Sequence, residues 1–595
     1  MQNENSRNTL IFFVCAALIM GIYYFTVMRP QAEQQRAARI AAAELSQEAT
    51  TDADPTLTGT VNVFKDRATA LTGAGRVPIE SDTVKGSLSL LGGRIDDLFL
   101  TQYREKLNDP TPVELFRPQG MEHAYFAQFG WRGANVPGGV PGPNTVWTLS
   151  KGDKLTPTTP VELTWDNGNG LRFTRVISVD DKYLFSVKDT VANLGTNAIT
   201  IAPYSRVERQ GIPADLGKQM ILHEGAIGTF GEGKSFKTEQ IKYKDWAKKT
   251  KVEEDSTGGW MGITDKYWLA ALIPAQDEKV TARFTVRPVG EMNIHEANLL
   301  GAAHTIAPGK QITETQQLFA GVKRNEVLKQ YEEQLGLPRF VYAIDWGMFW
   351  FLTRPIFQVL EFFFGLLGNF GLAILALTVV VKLVLFPLAN KSYASMSKMR
   401  MLQPKMEEIK KKHGKDPQKQ QQEMMALYQR EKINPLAGCL PILVQIPVFY
   451  ALYKVLFVTI EMRHAPFFGW IKDLSAKDPT TIWNLFGAIP YDPSAVPLLG
   501  GILGGPLHLG VLPLVYGLTM WLQMSMNPPA QDPIQRQIFS LMPILFTFIM
   551  APFAAGLLIY WAWNNILSIL QQYVIMHKYK AENPIDTFFA RFKKG

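Results

Sequence analysis

Cysteine is nearly absent from this chain of 595 residues, which contains only two. Two thiols exclude a scaffold stapled by several disulfides and any four-cysteine zinc site. The eight histidines are scattered, and the sequence has neither an HExxH nor a CxxC motif. The composition therefore argues against a secreted disulfide scaffold and against a conventional metalloenzyme.

Long apolar runs are missing from residue 31 to residue 335, so no segment there is apolar enough to cross a membrane. Residues 29–56 are rich in Ala, Gln, Glu and Thr and are predicted to form an exposed linker. Beyond them, segments such as 172–179 and 183–187 alternate apolar and polar side chains, as half-buried strands do. Turn signals rich in Gly, Asn and Pro separate such segments. We predict a large all-β domain, a β-sandwich of the supersandwich type, over residues 57–335.

The first apolar run covers residues 10–27 and contains no charge. A helix of that length spans about 27 Å, close to the thickness of a bilayer's hydrocarbon core. A cleavable signal peptide is the alternative, but its apolar region is about 7–15 residues long and a small-x-small site follows it directly. We predict an uncleaved signal-anchor transmembrane helix over residues 1–28.

Apolar runs return in the last third of the chain. They cover residues 371–389, 438–458, 506–526, 538–551 and 554–576. These runs predict a membrane core of five helices over residues 369–580, and the anchor raises the count to six transmembrane helices. The run at 538–551 is about 21 Å long as a helix, which predicts a locally thin membrane. Residues 336–368 combine aromatic side chains with Arg354 and Glu361, which predicts an amphipathic helix in the membrane interface.

Positive charge is concentrated on two segments beside these runs. Residues 390–434 carry eleven Lys and Arg residues against five acidic ones, a net charge of +6, and residues 577–595 carry +3. The positive-inside rule places both the loop and the basic tail, residues 581–595, in the cytoplasm. Six spans then put both termini in the cytoplasm and the β-domain on the opposite side. The excess charge is a topology signal, so DNA is not an expected partner, although ribosomal RNA contact by the tail stays open.

The sequence of the basic loop predicts a helical hairpin. Residues 414–417, GKDP, form the predicted turn between helices over 392–413 and 418–431. Two interpretations stay open. The hairpin is either a solvated pair of charged helices without a partner, or an arm that receives a substrate and its partners.

Polar residues concentrate in the inner halves of the predicted spans. Lys382 and Gln445 each lie seven residues, about 10 Å, from the inner end of their span. Thr378 lies one turn before Lys382 and shares its face, whereas residues 372–377 and 554–559 are entirely apolar. This pattern indicates a hydrated cavity closed toward the outside. The other candidates for its lining are Gln523, Tyr560, Trp561, Asn564 and Asn565.

Each of these residues has a simpler explanation. A lysine at that depth costs about 2.5–3.5 kcal/mol, and Lys382 could instead extend its ammonium group to the cytoplasmic surface. Gln445 and Asn565 could be hydrogen-bond partners that hold helices together. Lys454 and His508 lie near outer ends of spans and are expected to reach the interface.

Two motifs point to chemistry that the surrounding sequence does not support. Residues 228–235, GTFGEGKS, match the phosphate-loop pattern, but a polar stretch follows where an apolar helix is required. Residues 395–398 match SxxK on the cytoplasmic loop, without companion motifs. We expect no nucleotide binding from the first and no acylation from the second.

Several segments of the last third are family signatures. They are MSKMRMLQPK at 396–405, EMMALY at 423–428, NPLAGCLP at 434–441, QIP at 445–447 and DLSA at 473–476. Over residues 340–580 the chain resembles the YidC family of membrane protein insertases. The first span and the β-domain resemble the longer form found in Gram-negative inner membranes, where that domain is periplasmic.

The resemblance implies a chaperone-like insertase without enzymatic activity, metal or cofactor. It implies that nascent membrane proteins enter the bilayer through a hydrophilic groove open to cytoplasm and lipid, with or without the Sec translocon. The ribosome and the signal-recognition receptor are further implied partners. The groove's positive residue, typically arginine, falls here on Lys382, and the hairpin residues implied to act are Lys398, Arg400, Gln403, Pro404 and Lys405. The outer loop at 483–505 is longer than the family pattern.

Two other classes of function remain as alternatives. A transporter or channel would explain an ionisable residue inside the membrane, but no relay of embedded Asp, Glu or His and no inverted repeat is recognisable. A carbohydrate-binding or enzymatic β-domain would need the membrane part only as an anchor. Five spans and a basic loop of 45 residues exceed what an anchor requires.

Overall fold

The computed structural model describes residues 66–592, apart from residues 74, 108, 214–215, 217–221, 250, 290–291, 414–415, 432–439 and 528–532. The predicted anchor at 1–28, the linker at 29–56 and most of the NPLAGCLP motif lie outside the described residues. The chain divides into two compact units, one ending at Ala343 and the other beginning at Ile344.

The first unit consists of two large antiparallel sheets. In spatial order, one sheet contains β1 (Arg76–Glu80), β2 (Val84–Ser89), β3 (Arg94–Arg104), β5 (Tyr125–Arg132), β10 (Ile199–Gln210), β17 (Met292–Gly301), β16 (Lys279–Val289) and β13 (Lys251–Thr257), with β4 (Pro112–Phe116) on β3 and β18 (His304–Ile306) on β10. The other contains β12 (Ser235–Lys242), β11 (Gly225–Glu232), β14 (Trp260–Thr264), β15 (Trp268–Ile273), β19 (Gln311–Val322), β9 (Leu184–Asn193), β8 (Leu171–Val179), β7 (Val161–Asp166) and β6 (Thr148–Lys151). The sheets contact each other through β11 and β13, β14 and β17, and β10 and β15. The all-β prediction for this region is therefore confirmed.

The alternation that predicted β8 also places a charge in the core. Along this strand Phe173, Arg175 and Ile177 are all buried, because alternate residues of a strand face the same side. Arg175 lies opposite Asp189 of β9, and its Nε and Nη2 donate to the two carboxylate oxygens at 2.7 Å each. Nη1 donates to the Phe129 carbonyl at 3.1 Å. This ion pair is fully enclosed, with each charged group hydrogen-bonded.

The apparent phosphate-loop motif forms a β-hairpin. Residues 228–232 belong to β11, Gly233 adopts the left-handed conformation with φ 61°, and Ser235 begins β12. Strand β12 pairs with β11 over its full length. A phosphate loop instead leads into a helix whose N-terminus faces the phosphate, so this geometry agrees with rejecting the motif.

Thirteen helices lie within the residues that the structure describes. Those of the first unit are α1 (Arg67–Leu71), α2 (Tyr243–Trp246) and α3 (Asn325–Leu335); those of the second are α4 (Trp350–Leu367), α5 (Phe370–Met401), α6 (Gln403–Lys412), α7 (Pro417–Arg430), α8 (Leu440–Val458), α9 (Gly500–Leu503), α10 (Val511–Ser525), α11 (Pro533–Met550), α12 (Ala555–Lys578) and α13 (Pro584–Phe592). Within the described ranges, two helices, α4 and α5, are long and apolar enough to cross a membrane, and α8, α10 and α11 contain shorter apolar stretches. The count of six spans stays a prediction, as does an interfacial position for α4.

Helix boundaries differ from the predicted ones in two places. We expected a span ending near residue 389 and a separate helix from 392, but α5 continues without a break to Met401. Hydropathy falls at Asn390, whereas the helical backbone needs only good helix formers such as Lys, Ala and Met, which follow. The span expected from residue 506 begins instead at Val511, because residues 506–510 belong to the preceding loop.

The predicted helical hairpin corresponds to α6 and α7. The two helices share a small core in which Leu402, Met406 and Leu427 are buried. Asp416 caps α7 by accepting the Lys419 N–H at 3.0 Å. The hairpin is thus a packed element that begins directly at the end of α5.

Candidate functional site

Helix α12 carries a stripe of buried polar side chains. Asn564, Ser568 and Gln572 are spaced by four residues, so they lie on one face, and all three are buried. Asn565 is buried next to them. Because buried polar groups need hydrogen-bond partners, these side chains must be matched by the helices around α12.

The partner of Ser568 is Lys382 of α5. The half-buried Lys382 directs its ammonium group at the Ser568 hydroxyl, with Nζ and Oγ 2.6 Å apart. Ser568 in turn donates to the Asn564 carbonyl at 2.8 Å. The lysine therefore reaches across to α12 at mid-helix.

Two further hydrogen bonds extend this arrangement to α8 and α10. Gln445 Nε2 donates to Asn564 Oδ1 at 3.0 Å, and Asn565 Nδ2 donates to Thr519 Oγ1 at 3.2 Å. Gln523 lies one turn beyond Thr519 on the same face of α10. We call Lys382, Gln445, Thr519, Asn564, Asn565 and Ser568 the polar cluster. The structure thus brings four of the predicted site residues together, and two of them, Gln445 and Asn565, also act as interhelical hydrogen-bond partners.

Three predicted residues are placed differently. Thr378 is fully buried, and its hydroxyl donates to the Ile374 carbonyl of its own helix at 2.6 Å. Tyr560 packs against Phe449, with ring centroids 5.8 Å apart, and is buried. Trp561 packs between Tyr516 and Phe553, at 5.8 Å from each. These contacts make the three residues part of helix packing.

The predicted hairpin residues are also divided between two places. Arg400 lies on α5 and donates to the Met526 carbonyl at the end of α10 at 3.0 Å, while the Lys398 ammonium lies 5.8 Å from the Tyr579 ring centre. Assigning these two to the hairpin was wrong, because α5 runs on to Met401. The hairpin does contain Gln403, Pro404 and Lys405, and the last of these pairs with Glu431 at 3.1 Å.

Two groups expected at the outer interface are enclosed instead. Lys454 is 1% exposed and its ammonium group binds Asp345 at 2.7 Å. His508 is buried, and its Nε2 lies 2.6 Å from the Asp478 carbonyl oxygen. The expectation was wrong because the partners come from segments 109 and 30 residues away, which hydropathy does not reveal.

Apolar side chains next to the polar cluster point away from the bundle. On α5, Leu383 is 64% exposed directly after Lys382, and Val379, Val384 and Phe386 are exposed as well. On α10, Leu514, Leu518 and Trp521 are exposed near Thr519. The polar cluster therefore lies beside an apolar outer surface of the kind that lipid covers. It offers hydrogen-bond donors, acceptors and one positive charge.

Reasoning from the sequence missed Ser568, Thr519 and Gln572. Gln572 donates to the Met526 carbonyl at 3.0 Å, at the same atom that Arg400 binds. The signal for two of the missed residues was present, since Ser568 and Gln572 follow Asn564 at intervals of four. Thr519 had no comparable signal on α10.

Comparison with known proteins gives consistent matches over both units. Residues 76–359 match the family model of the YidC periplasmic domain, and residues 362–582 match that of the 60Kd inner membrane protein. The membrane protein insertase YidC of Caulobacter vibrioides (strain NA1000 / CB15N) is 53% identical over 100% of this chain and 99% of its own length. That of Maricaulis maris (strain MCS10) is 50% identical over 99% of both. The crystal structure of an active YidC insertase shares 16% identity with a TM-score of 0.35, over 87% of this chain and 95% of that one.

Proposed function

The chain belongs to the YidC family of membrane protein insertases, inner-membrane proteins with a periplasmic domain, and we propose that its polar cluster is the place where substrates enter the bilayer. The observation that carries this proposal is the Lys382 ammonium group on Ser568, in mid-helix and beside exposed apolar side chains. Insertion consists of binding and partitioning, so no bond of the substrate has to be broken.

The polar cluster lowers the cost of moving a substrate's polar flank. Taking an unpaired polar group from water into hydrocarbon costs about 4–8 kcal/mol. Water and the side chains of Lys382, Gln445 and Asn564 supply partners part-way across, so the distance without partners becomes shorter. The substrate's apolar segment leaves sideways past Leu383 into lipid, which gains about 25 cal/mol per Å² of buried apolar surface.

The charge of Lys382 sets a preference among substrates. An acidic flank is attracted by the ammonium group, and the attraction is strong because little water screens it there. A lysine attracts a carboxylate as a point charge, without the bidentate geometry of an arginine. Substrates with acidic outer tails are therefore preferred. Their carboxylates leave the lysine without having to break the second hydrogen bond that an arginine would form.

The charge pattern supports one orientation of this machinery. The +6 of residues 390–434 and the +3 of residues 577–595 favour a cytoplasmic hairpin and cytoplasmic termini, with six spans and a periplasmic β-domain. Nascent membrane proteins are then the substrates and reach the polar cluster from the cytoplasm. The ribosome, the signal-recognition receptor and the Sec translocon are the proposed partners, and α4 is proposed to lie in the outer interface.

The helical hairpin is proposed to act as the receiving arm. Its own core, around Met406 and Leu427, keeps the two helices together, and Leu402 joins that core at the end of α5. The hairpin is therefore a single packed element whose core extends to the end of α5.

Deleting residues 404–431 is expected to slow insertion by about tenfold, or ~1.4 kcal/mol in barrier, because substrates then reach the polar cluster without being held. The measurement uses proteoliposomes and a newly synthesised two-span protein, with protease protection as the readout. Empty liposomes give the background, and insertion by the intact chain at that background would contradict the proposed function itself.

The control for the deletion is Lys329→Ala on α3 of the first unit. It removes one exposed ion pair with Glu333, worth at most about 1 kcal/mol, and should leave insertion unchanged. Equal rates for the deletion and the intact chain would show the hairpin to be a solvated element without a role in insertion.

A further inference from the structure

The segment between α8 and α10 contains a largely uncharged stretch, residues 483–505, which we call the outer loop. Asp492 is its one charged residue. The Ser494 hydroxyl and N–H bind this carboxylate and hold the pKa of Asp492 below its usual range. Asp492 therefore remains ionised and marks one water-facing point on an otherwise uncharged surface.

Large apolar side chains of the outer loop are exposed. Leu498 is fully exposed, and seven others are between 40% and 61% exposed. These seven are four leucines or isoleucines and three aromatic residues. The full set is Trp483, Leu485, Phe486, Ile489, Tyr491, Leu498, Leu499 and Ile502.

The backbone adopts unfavourable conformations at three of these positions. Leu485, Phe486 and Leu498 have φ of 49°, 57° and 65°, and the left-handed region costs a residue with a side chain roughly 1–2 kcal/mol. In water, the exposure of the same side chains adds to that cost. The backbone cost is steric and the same in any medium, whereas the cost of exposure is relieved when an apolar medium covers this surface.

The opposite side of the outer loop is fixed by hydrogen bonds. Asn484 is buried, accepts the N–H groups of Thr481 and Gly487 at 2.8 Å, and donates to the Pro479 carbonyl at 3.0 Å. The Lys477 ammonium group donates to the Gly504 carbonyl at 2.6 Å. The outer loop is thus an ordered element with one polar, anchored side and one apolar, exposed side.

A buried carboxylate ties this element to the start of α10. Asp478 is fully buried, accepts the Leu512 N–H at 2.8 Å and accepts the Trp470 indole N–H at 3.1 Å. The base of the outer loop is therefore held at the end of an apolar helix. For a helix in the membrane, that end lies at the bilayer surface.

We propose that the outer loop is a membrane-surface anchor whose apolar side inserts into the outer leaflet at the ends of α8 and α10. The proposal rests on the proposed function only for the placement of these two helices in the membrane. Trp483 and Tyr491 suit this position, because aromatic rings with a polar edge favour the headgroup level. The scarcity of charge favours lipid over a protein partner, whose contact surface normally has a polar rim.

The test places a nitroxide spin label at Leu498→Cys in the full chain, with both native cysteines replaced by Ala. The protein is reconstituted in phosphatidylethanolamine and phosphatidylglycerol vesicles, and collisions with oxygen and with a water-soluble nickel chelate are measured. We expect high oxygen and low nickel collision rates, at a depth of about 5–10 Å. The control label at Lys472→Cys, an exposed charged position before the outer loop, should show the reverse.

A nickel collision rate at Leu498 equal to that at Lys472 would overturn the anchor, since the side chain would then be in water. Protection from both reagents would also overturn it, in favour of a protein partner or a second copy. A label at Leu485→Cys repeats the measurement in case the first variant folds poorly. Insertion by the unlabelled intact chain, assayed in the same vesicles, separates the two proposals, because its failure to insert alongside an embedded label contradicts only the proposed function.

Discussion

Lys382→Glu is expected to slow insertion of a substrate with an acidic outer tail by about tenfold or more, equivalent to ~1.4 kcal/mol in barrier. The variant replaces attraction by repulsion at the site where the ammonium group lies on Ser568. It also places a carboxylate near Asn564, Gln445 and apolar side chains, and none of these described neighbours carries a positive charge. The measurement is the initial rate of protease protection in proteoliposomes.

Three controls separate charge from packing. Lys382→Arg keeps the charge and should insert at close to the rate of the unmodified chain, while Lys382→Ala should fall between it and the Glu variant. Lys391→Glu reverses a charge at an exposed position of the same helix and should have little effect. If Lys382→Glu inserted acidic and neutral tails at unchanged rates, the electrostatic part of the mechanism would be wrong.

Asp189→Asn should destabilise the β-domain by about 3–5 kcal/mol, because it leaves the fully buried Arg175 guanidinium without its counter-ion. The substitution keeps the shape of the side chain, so a cavity does not contribute. The lost stability should appear as faster amide hydrogen exchange in β8 and β9 and as a lower urea midpoint.

The chain offers a matched pair for comparison on the same sheet. Arg172 and Asp166 are also paired, at 3.0 Å, but both side chains are more than half exposed. Asp166→Asn should therefore cost less than about 1 kcal/mol. Similar losses for the two variants would show that the enclosure of Arg175 is not what makes its pair important.

The β-domain was predictable because burial on one face imposes period two on the sequence. That rule located β8 and β9, yet it could not identify Arg175 and Asp189 as core residues, since a charge in the pattern normally marks the solvent side. Their burial depends on the register that sets one opposite the other, and register is a property of two strands. The order of strands in the two sheets could not be derived for the same reason.

In the helical unit, hydropathy located the apolar segments. Counting residues from the inner ends of these segments then showed which polar residues lie at a similar depth. This was sufficient to find Lys382, Gln445, Asn564 and Asn565. It did not reveal the partner of Thr378, because a threonine can donate to the carbonyl four residues earlier in its own helix.

Helix ends were less predictable than helix interiors. The start of α10 is fixed by Asp478, which lies 34 residues before the N–H that it accepts. The end of α5 follows from backbone hydrogen bonds that continue where apolar character stops. Neither depends on the local pattern of apolar residues.

Hydration of the polar cluster is tested most directly by comparing two neighbouring positions of α8. Gln445 belongs to the polar cluster, whereas Ile446 is 55% exposed on the apolar outer surface. Single cysteines at Gln445→Cys and Ile446→Cys, with both native cysteines replaced by Ala, are treated with a water-soluble maleimide in vesicles whose cytoplasmic face is outward. A hydrated groove predicts rapid labelling at 445, slow labelling at 446, and protection of 445 by a substrate stalled during insertion. Equal, slow labelling at both positions would contradict it, because water would then be excluded from the place where Lys382 is proposed to act.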